Sequence, residues 1–245
     1  MNWFWASILA LFFLQGAGWA AAAAAEEDSP RGRRVEKYRY ESIASEGETS
    51  HKEWDQIELV DETHGFEYIS KTTSPEKTEE ITIHTDRGGR VISGLKTTSN
   101  HRDGSLQQDK VWTADRKVYV ESGAGEGKKR KERELPQDVP LAVDGSLLVL
   151  LRFFPFDQGK EWKVFMVDFS GHSITGTIRQ EGIEKVVVPA GEFECYRVEI
   201  VVDLLIFHPK VINWISTRKP NFLVKYQGKR GPFTPSYITS LVSLE

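Results

Sequence analysis

The side chains best suited to bond-making near neutral pH are six histidines, at 51, 64, 84, 101, 172 and 208, and one cysteine, Cys195. Two histidines stand two residues from a carboxylate, His51 with Glu53 and His84 with Asp86. On a strand, i and i+2 share a face, so each pair forms a metal half-site or the start of a proton relay. No two histidines have the spacing of a helical metal pair, and both His–carboxylate pairs lie in polar segments that read as surface. His101-Arg102-Asp103 copies a kinase tripeptide but lacks the nucleotide loop that goes with it. Gly171-His172-Ser173 reads as a turn, and no serine sits in a Gly-x-Ser-x-Gly elbow. Cys195 falls in a strand-like run between Glu194 and Tyr196, where nearby carboxylates raise a thiol's pKa and blunt its nucleophilicity. It reads as structural.

The glycines of Ser122-Gly123-Ala124-Gly125-Glu126-Gly127 precede Lys128-Lys129-Arg130-Lys131 without the spacing of a phosphate loop and without a helix pattern after them. That stretch reads as a solvated loop leading into a lysine-rich edge strand, a composition that discourages pairing with another chain. These residues point away from an enzyme, and no catalytic residue, metal ligand or cofactor is assigned. Arg152 differs in kind. It stands in Leu147-Leu148-Val149-Leu150-Leu151-Arg152-Phe153-Phe154, where a guanidinium needs a carboxylate, a carbonyl or a route to water, and where it could also bind an anionic ligand.

The elements that would position these groups are mostly strands. Val35 to Ile43, Trp54 to Val60, Phe66 to Ser70, Glu80 to Thr85, Arg90 to Thr98, Gln108 to Thr113 and Lys117 to Glu121 alternate apolar and polar residues. Turn sequences such as Asp61-Glu62-Thr63-His64-Gly65 and Asp86-Arg87-Gly88-Gly89 join them as an antiparallel meander. The pattern changes at Pro140. Asp144 or Ser146 is expected to cap a helix over Leu147 to Phe154, which Pro155 ends; because it is apolar all round, it should be enclosed.

Beyond it, Trp162 to Phe169 is apolar on both faces and should be covered on both. Ser173 to Gln180 and Lys185 to Val188 follow, and Val186 to Phe207 reads as a hairpin turning at Pro189-Ala190-Gly191. Trp214 to Ser216, Phe222 to Tyr226 and Ile238 to Leu244 supply the last strands. The fold class expected is mainly β: a curved antiparallel sheet or half-open β-barrel with one short helix packed in its concave face.

The N-terminal segment points to export from the cytoplasm. Met1 to Ala25 carries no charged side chain and holds the run Ile8 to Leu14 followed by alanines, as a signal peptide cleaved near Ala25 would. Glu26 to Arg34 reads as a flexible lead-in and Val35 to Glu245 as one antiparallel β domain. The expected location is the periplasm or the exterior, with membrane contact only through the N-terminal segment if it is kept. A single cysteine excludes an intramolecular disulfide and a cysteine-based metal site. The formal charge of −4 is uneven, with 14 acids against 5 bases from Glu36 to Asp86 and a basic excess from Arg87 to Arg133. It gives no reason to propose nucleic acid as a partner.

The order of these features resembles a family of exported bacterial proteins named only as domain of unknown function 3108. The matching residues are Ser146-Leu147-Leu148 through Arg152-Phe153-Phe154-Pro155, the Gly159 turn, and the hairpin Val188-Pro189-Ala190-Gly191-Glu192-Phe193-Glu194-Cys195-Tyr196. Trp214-Ile215-Ser216, Leu223-Val224-Lys225-Tyr226 and the final apolar strand complete the match over Val35 to Glu245. The insert Gly123 to Glu134 and the segment Phe207 to Val211 depart from it. The resemblance implies a half-open barrel similar to periplasmic lipoprotein carriers, whose helix-lined apolar cavity holds acyl chains, and it implies no catalytic residues.

The function expected from the residues is a non-enzymatic binding or carrier module for a lipid or other apolar molecule, lined by Leu147, Leu150, Leu151, Arg152, Phe154, Phe165 and Phe169. The alternative is a structural protein of the envelope that touches a partner protein through its acidic strands or its basic loop.

Overall fold

In a computed structural model, residues 34–46, 49–123, 127–159, 161–203, 209–229 and 235–245 are described. The expected signal segment, most of the lead-in, His208, Leu204 to Phe207 and the side chain of His51 lie outside the described residues. The first eight strands are β1 (Arg34–Glu46), β2 (Thr49–Glu62), β3 (Gly65–Thr73), β4 (Lys77–Thr85), β5 (Val91–Asn100), β6 (Leu106–Ala114), β7 (Lys117–Ser122) and β8 (Lys129–Glu134). After β9 (Leu141–Val143) and a helix α1 (Leu147–Leu151) come β10 (Trp162–Val167), β11 (Ser173–Val188), β12 (Gly191–Val202), β13 (Lys210–Ser216), β14 (Leu223–Lys229) and β15 (Ser236–Leu244).

All fifteen strands form one sheet in the order β8-β7-β6-β5-β4-β3-β2-β1-β15-β14-β13-β12-β11-β10-β9. The chain builds outward from β1 to one edge, crosses to the other edge, and builds back until β15 pairs with β1. That crossing forces the sheet to curl. Laid flat, fifteen strands at ~4.8 Å spacing would separate the two edges by roughly 67 Å. Residues 135–140, the whole connection from β8 to β9, reach about 25 Å at most. The curled edges meet without pairing: Lys131 Nζ on β8 donates to the carbonyl of Ser170, in the turn between β10 and β11, at 2.9 Å.

The expected mainly β fold, a curved sheet with one short helix, is therefore what the chain forms, and three details differ from expectation. β9 pairs parallel with β10, through Leu141–Phe165 and Val143–Val167. Two parallel neighbours need a crossover connection, and α1 lies within it. Three residues are too few for an alternating pattern to show, so β9 has no signature in the sequence. The helix also stops at Leu151, and Arg152 to Phe154 form a turn, because Pro155 disfavours helical backbone in the residue before it. Neither Asp144 nor Ser146 makes a side-chain cap. Asp144 has a φ of 40° in a 3₁₀ turn, and Ser146 Oγ accepts the N–H of Val143 at 2.8 Å, fixing that turn instead. Finally, Ser173 to Val188 is one strand carrying a β-bulge between Gln180 and Gly182, where two runs were expected.

The parallel unit is wedged inside the curl, so its residues supply two cores. Leu150, Leu151, Phe154 and Val164 pack with Tyr40, Ile178, Val198, Ile200 and Leu241. Val149, Phe165, Val167 and Phe169 pack with Leu59, Tyr68, Ile83, Val111 and Val118. β10 is thus covered on both faces, as its sequence requires. Gly94 on β5 permits this closeness: a Cβ there would stand 3.3 Å from the ring of Phe169 and 2.9 Å from Val111. Each buried aromatic or aliphatic side chain in these cores contributes about 1.5–3 kcal/mol.

Candidate functional site

Register places a mixed row of side chains at the rim of the curl beside α1. On β1, Arg34, Glu36 and Tyr38 share one face because they are spaced by two. Arg34 stands opposite Asp61 on β2, which stands opposite Phe66 on β3. One pleat further in, Glu36 stands opposite Leu59, which stands opposite Tyr68. Charge therefore lies at the rim and apolar surface lies deeper. The turn that ends α1 brings Arg152 and Phe153 over these rows, and the loop between β13 and β14 adds Lys219, Pro220 and Asn221.

Together these residues enclose a cavity of about 210 Å³, lined by Arg34, Glu36, Leu59, Asp61, Phe66, Arg152, Phe153, Lys219, Pro220 and Asn221. A smaller cavity of about 20 Å³ lies between α1, at Leu148 and Val149, and the strand residues Tyr38, Tyr40, Ile57, Leu59 and Tyr68. Leu59 and Arg152 line both. The two spaces are neighbours along one seam, with Arg34, Asp61 and Lys219 lining only the outer one and Ile57, Leu148 and Val149 only the inner one.

Arg152 governs the electrostatics. Its Nη2 donates to Glu36 Oε2 at 2.5 Å and to the Tyr38 hydroxyl at 3.1 Å, and that hydroxyl donates to the same carboxylate oxygen at 2.6 Å. Burial pushes the Glu36 carboxyl up, but the hydrogen bonds from Arg152 and Tyr38 and the charges of Arg152 and Arg34 outweigh it and hold the group below the usual carboxylate range. Asp61 is taken by Arg87 Nη1 at 2.6 Å, and Arg87 also lies 5.7 Å above the Phe66 ring. Phe66 in turn packs on Phe153 at 5.7 Å.

The seven residues expected to line a ligand cavity are distributed as follows. Leu150, Leu151 and Phe154 are buried in the first core, with Leu147 half-buried against it. Phe165 and Phe169 are buried in the second core. Arg152 alone lines the seam. Arg34, Glu36, Leu59, Asp61, Phe66, Phe153 and Lys219 were not singled out by type. The i, i+2 spacing of Arg34, Glu36 and Tyr38 was visible in the sequence, but their role depends on which strands become neighbours.

The other reactive side chains stand apart from this site. Cys195 is fully buried, and burial together with Glu184 and Glu194 pushes its thiol up to about 12. His84 faces Glu67 at 4.0 Å, while Asp86 Oδ1 accepts the backbone N–H groups of Gly88 and Arg90 in the adjoining turn. His172 pairs with Asp168 at 3.0 Å on an exposed turn. Among the described residues no group of three or more His, Cys, Asp or Glu side chains is arranged to hold a metal, and no helix is long and apolar enough to cross a membrane.

No known family model matches this chain, and neither does any curated protein or solved structure.

Proposed function

We propose that this chain is a non-enzymatic binding or carrier module of the cell envelope, taking up a lipid or similar amphiphile in the seam beside α1. The observation that carries this reading is the change in lining along the seam, from Arg34, Asp61 and Lys219, which line only the outer cavity, to Ile57, Leu148 and Val149, which line only the inner one. An amphiphile matches both ends, whereas a wholly polar or wholly apolar molecule matches one. At about 210 Å³ the outer cavity is below the roughly 300–1,000 Å³ of a pocket that engulfs a drug-sized ligand. It holds a head group and the first carbons of a chain, with Leu59, which lines both cavities, at the inner side. The charge-free Met1 to Ala25 segment, read as a signal peptide, supports an envelope location.

The test is to recover the full chain from the cells that make it and extract it with organic solvent for mass spectrometry. A stoichiometric amphiphile is expected. Protein that emerges free of lipid, and that acquires none from an extract of its own envelope, contradicts the proposal.

A further inference from the structure

The seam carries information about the head group of its ligand. Arg152 has five N–H donors, and the hydrogen bonds it makes, to Glu36 and to Tyr38, both leave from Nη2. The donors on Nε and Nη1 make no hydrogen bond among the described residues and are not buried, so they open toward solvent on a side chain that lines both cavities. A guanidinium so placed is a preformed site for a planar or tetrahedral oxyanion.

The rest of the mouth is biased the same way. Glu36 is shared between Arg152 and Arg34, whose Nε lies 3.5 Å from Oε1. Asp61 is engaged by Arg87. Lys219 directs its Nζ to the neutral side-chain oxygen of Asn221 at 2.8 Å, so among the described residues its charge meets no carboxylate. Arg34, Arg152 and Lys219 thus set three positive charges on the lining against the two carboxylates Glu36 and Asp61, and Asp61 is also paired with Arg87, so the lining is left positive. A cationic head group would meet this excess directly, and a neutral one would leave the Arg152 donors unmatched.

Resting on the binding reading above, we propose that the ligand is an anionic amphiphile, an acyl or alkyl chain ending in a carboxylate or phosphate. Its head is anchored by the free donors of Arg152, with Arg34 and Lys219 at the rim, and its chain enters between Leu59 and Leu148.

The experiment is calorimetric titration of the full chain, below each compound's micelle concentration, with dodecanoate, dodecyl phosphate, dodecanol and dodecyltrimethylammonium, and separately with acetate and inorganic phosphate. One or both acidic chain compounds should bind about tenfold or more tighter than dodecanol, the cation should bind weakest, and the short anions should bind far more weakly. The double variant Arg34→Gln/Lys219→Gln, altered at two exposed positions, should lose about tenfold for the acidic compound and nothing for dodecanol. Glu36→Gln, with its fold checked by circular dichroism, should bind the acidic compound more tightly because a competing carboxylate is gone.

Equal binding of dodecanol and the acids, or an acid-to-alcohol ratio untouched by the double variant, overturns the head-group assignment and leaves the binding reading standing. Acetate or phosphate binding as tightly as the chain compounds overturns the amphiphile itself. No binding of any chain compound removes both.

Discussion

Arg152 Nη2 and Glu36 Oε2 lie 2.5 Å apart although 116 residues of chain separate them, and both side chains are mostly buried, at 12% and 14% exposure. The pair ties the turn after α1 to the first strand, so the helix is held in the curl by charge as well as by its leucines. Removing one partner strands the other in a poorly solvated site. Arg152→Met is expected to lower stability by about 3–5 kcal/mol. Glu36→Leu combined with Arg152→Met should recover much of that loss, because no unpaired charge remains. Urea denaturation of Arg152→Met, Glu36→Leu and the double variant measures the coupling, and strict additivity would show that the pair contributes nothing.

The same carboxylate sets a pH dependence. Glu36 titrates below its ordinary value of 4.5 in the folded chain, and so does Glu79, whose burial is outweighed by its bond to Lys96 at 2.7 Å. The unfolded chain therefore binds more protons in this range. The stability these groups contribute is present above about pH 4.5 and is lost as pH falls through their folded values. Thermal melting between pH 6 and 3 should show a steep fall for the parent and a shallower one for Glu36→Gln, with the Glu79 part retained. Identical slopes would contradict the assignment.

Gly145 sits beneath Tyr68 so closely that a Cβ would stand 2.1 Å from the phenol oxygen. Gly145→Ala must displace either the ring from the second core or the turn that leads into α1. A loss of about 1–3 kcal/mol is expected, as for other overpacked sites. Tyr68→Phe in the same chain should restore part of it by removing the clashing oxygen. If Gly145→Ala melts at the parent temperature, the turn is not packed as described.

Much of the fold was legible because its physics is local. The period of two in β1 through β7 and the two-sided apolar run of β10 reflect, residue by residue, which faces meet water. Pro155 and the Pro189-Ala190 turn mark breaks by backbone geometry alone. What escaped the sequence is what depends on distant partners. β9 is three residues long and exists because β10 offers it an edge. Leu150, Leu151 and Phe154 were expected to face one space with Phe165 and Phe169, yet the wedge of β9, α1 and β10 sends them to two cores. The seam itself joins β1, β2, β3, the end of α1 and a loop before β14, and no spacing rule links Arg34 to Lys219. Arg152 was the exception, conspicuous as a charge on an apolar segment.

The most direct test of the account is an amide chemical-shift titration of the full chain with dodecanoate and, separately, with dodecyl phosphate. With at least one of them, saturable shifts should concentrate at Arg34, Leu59, Phe66, Leu148, Arg152 to Phe153 and Lys219 to Asn221, marking both ends of the seam. Shifts that saturate with neither compound, or that gather instead on β6 to β8, where Arg130 lies over the stacked rings of Trp112 and Tyr119, would contradict it.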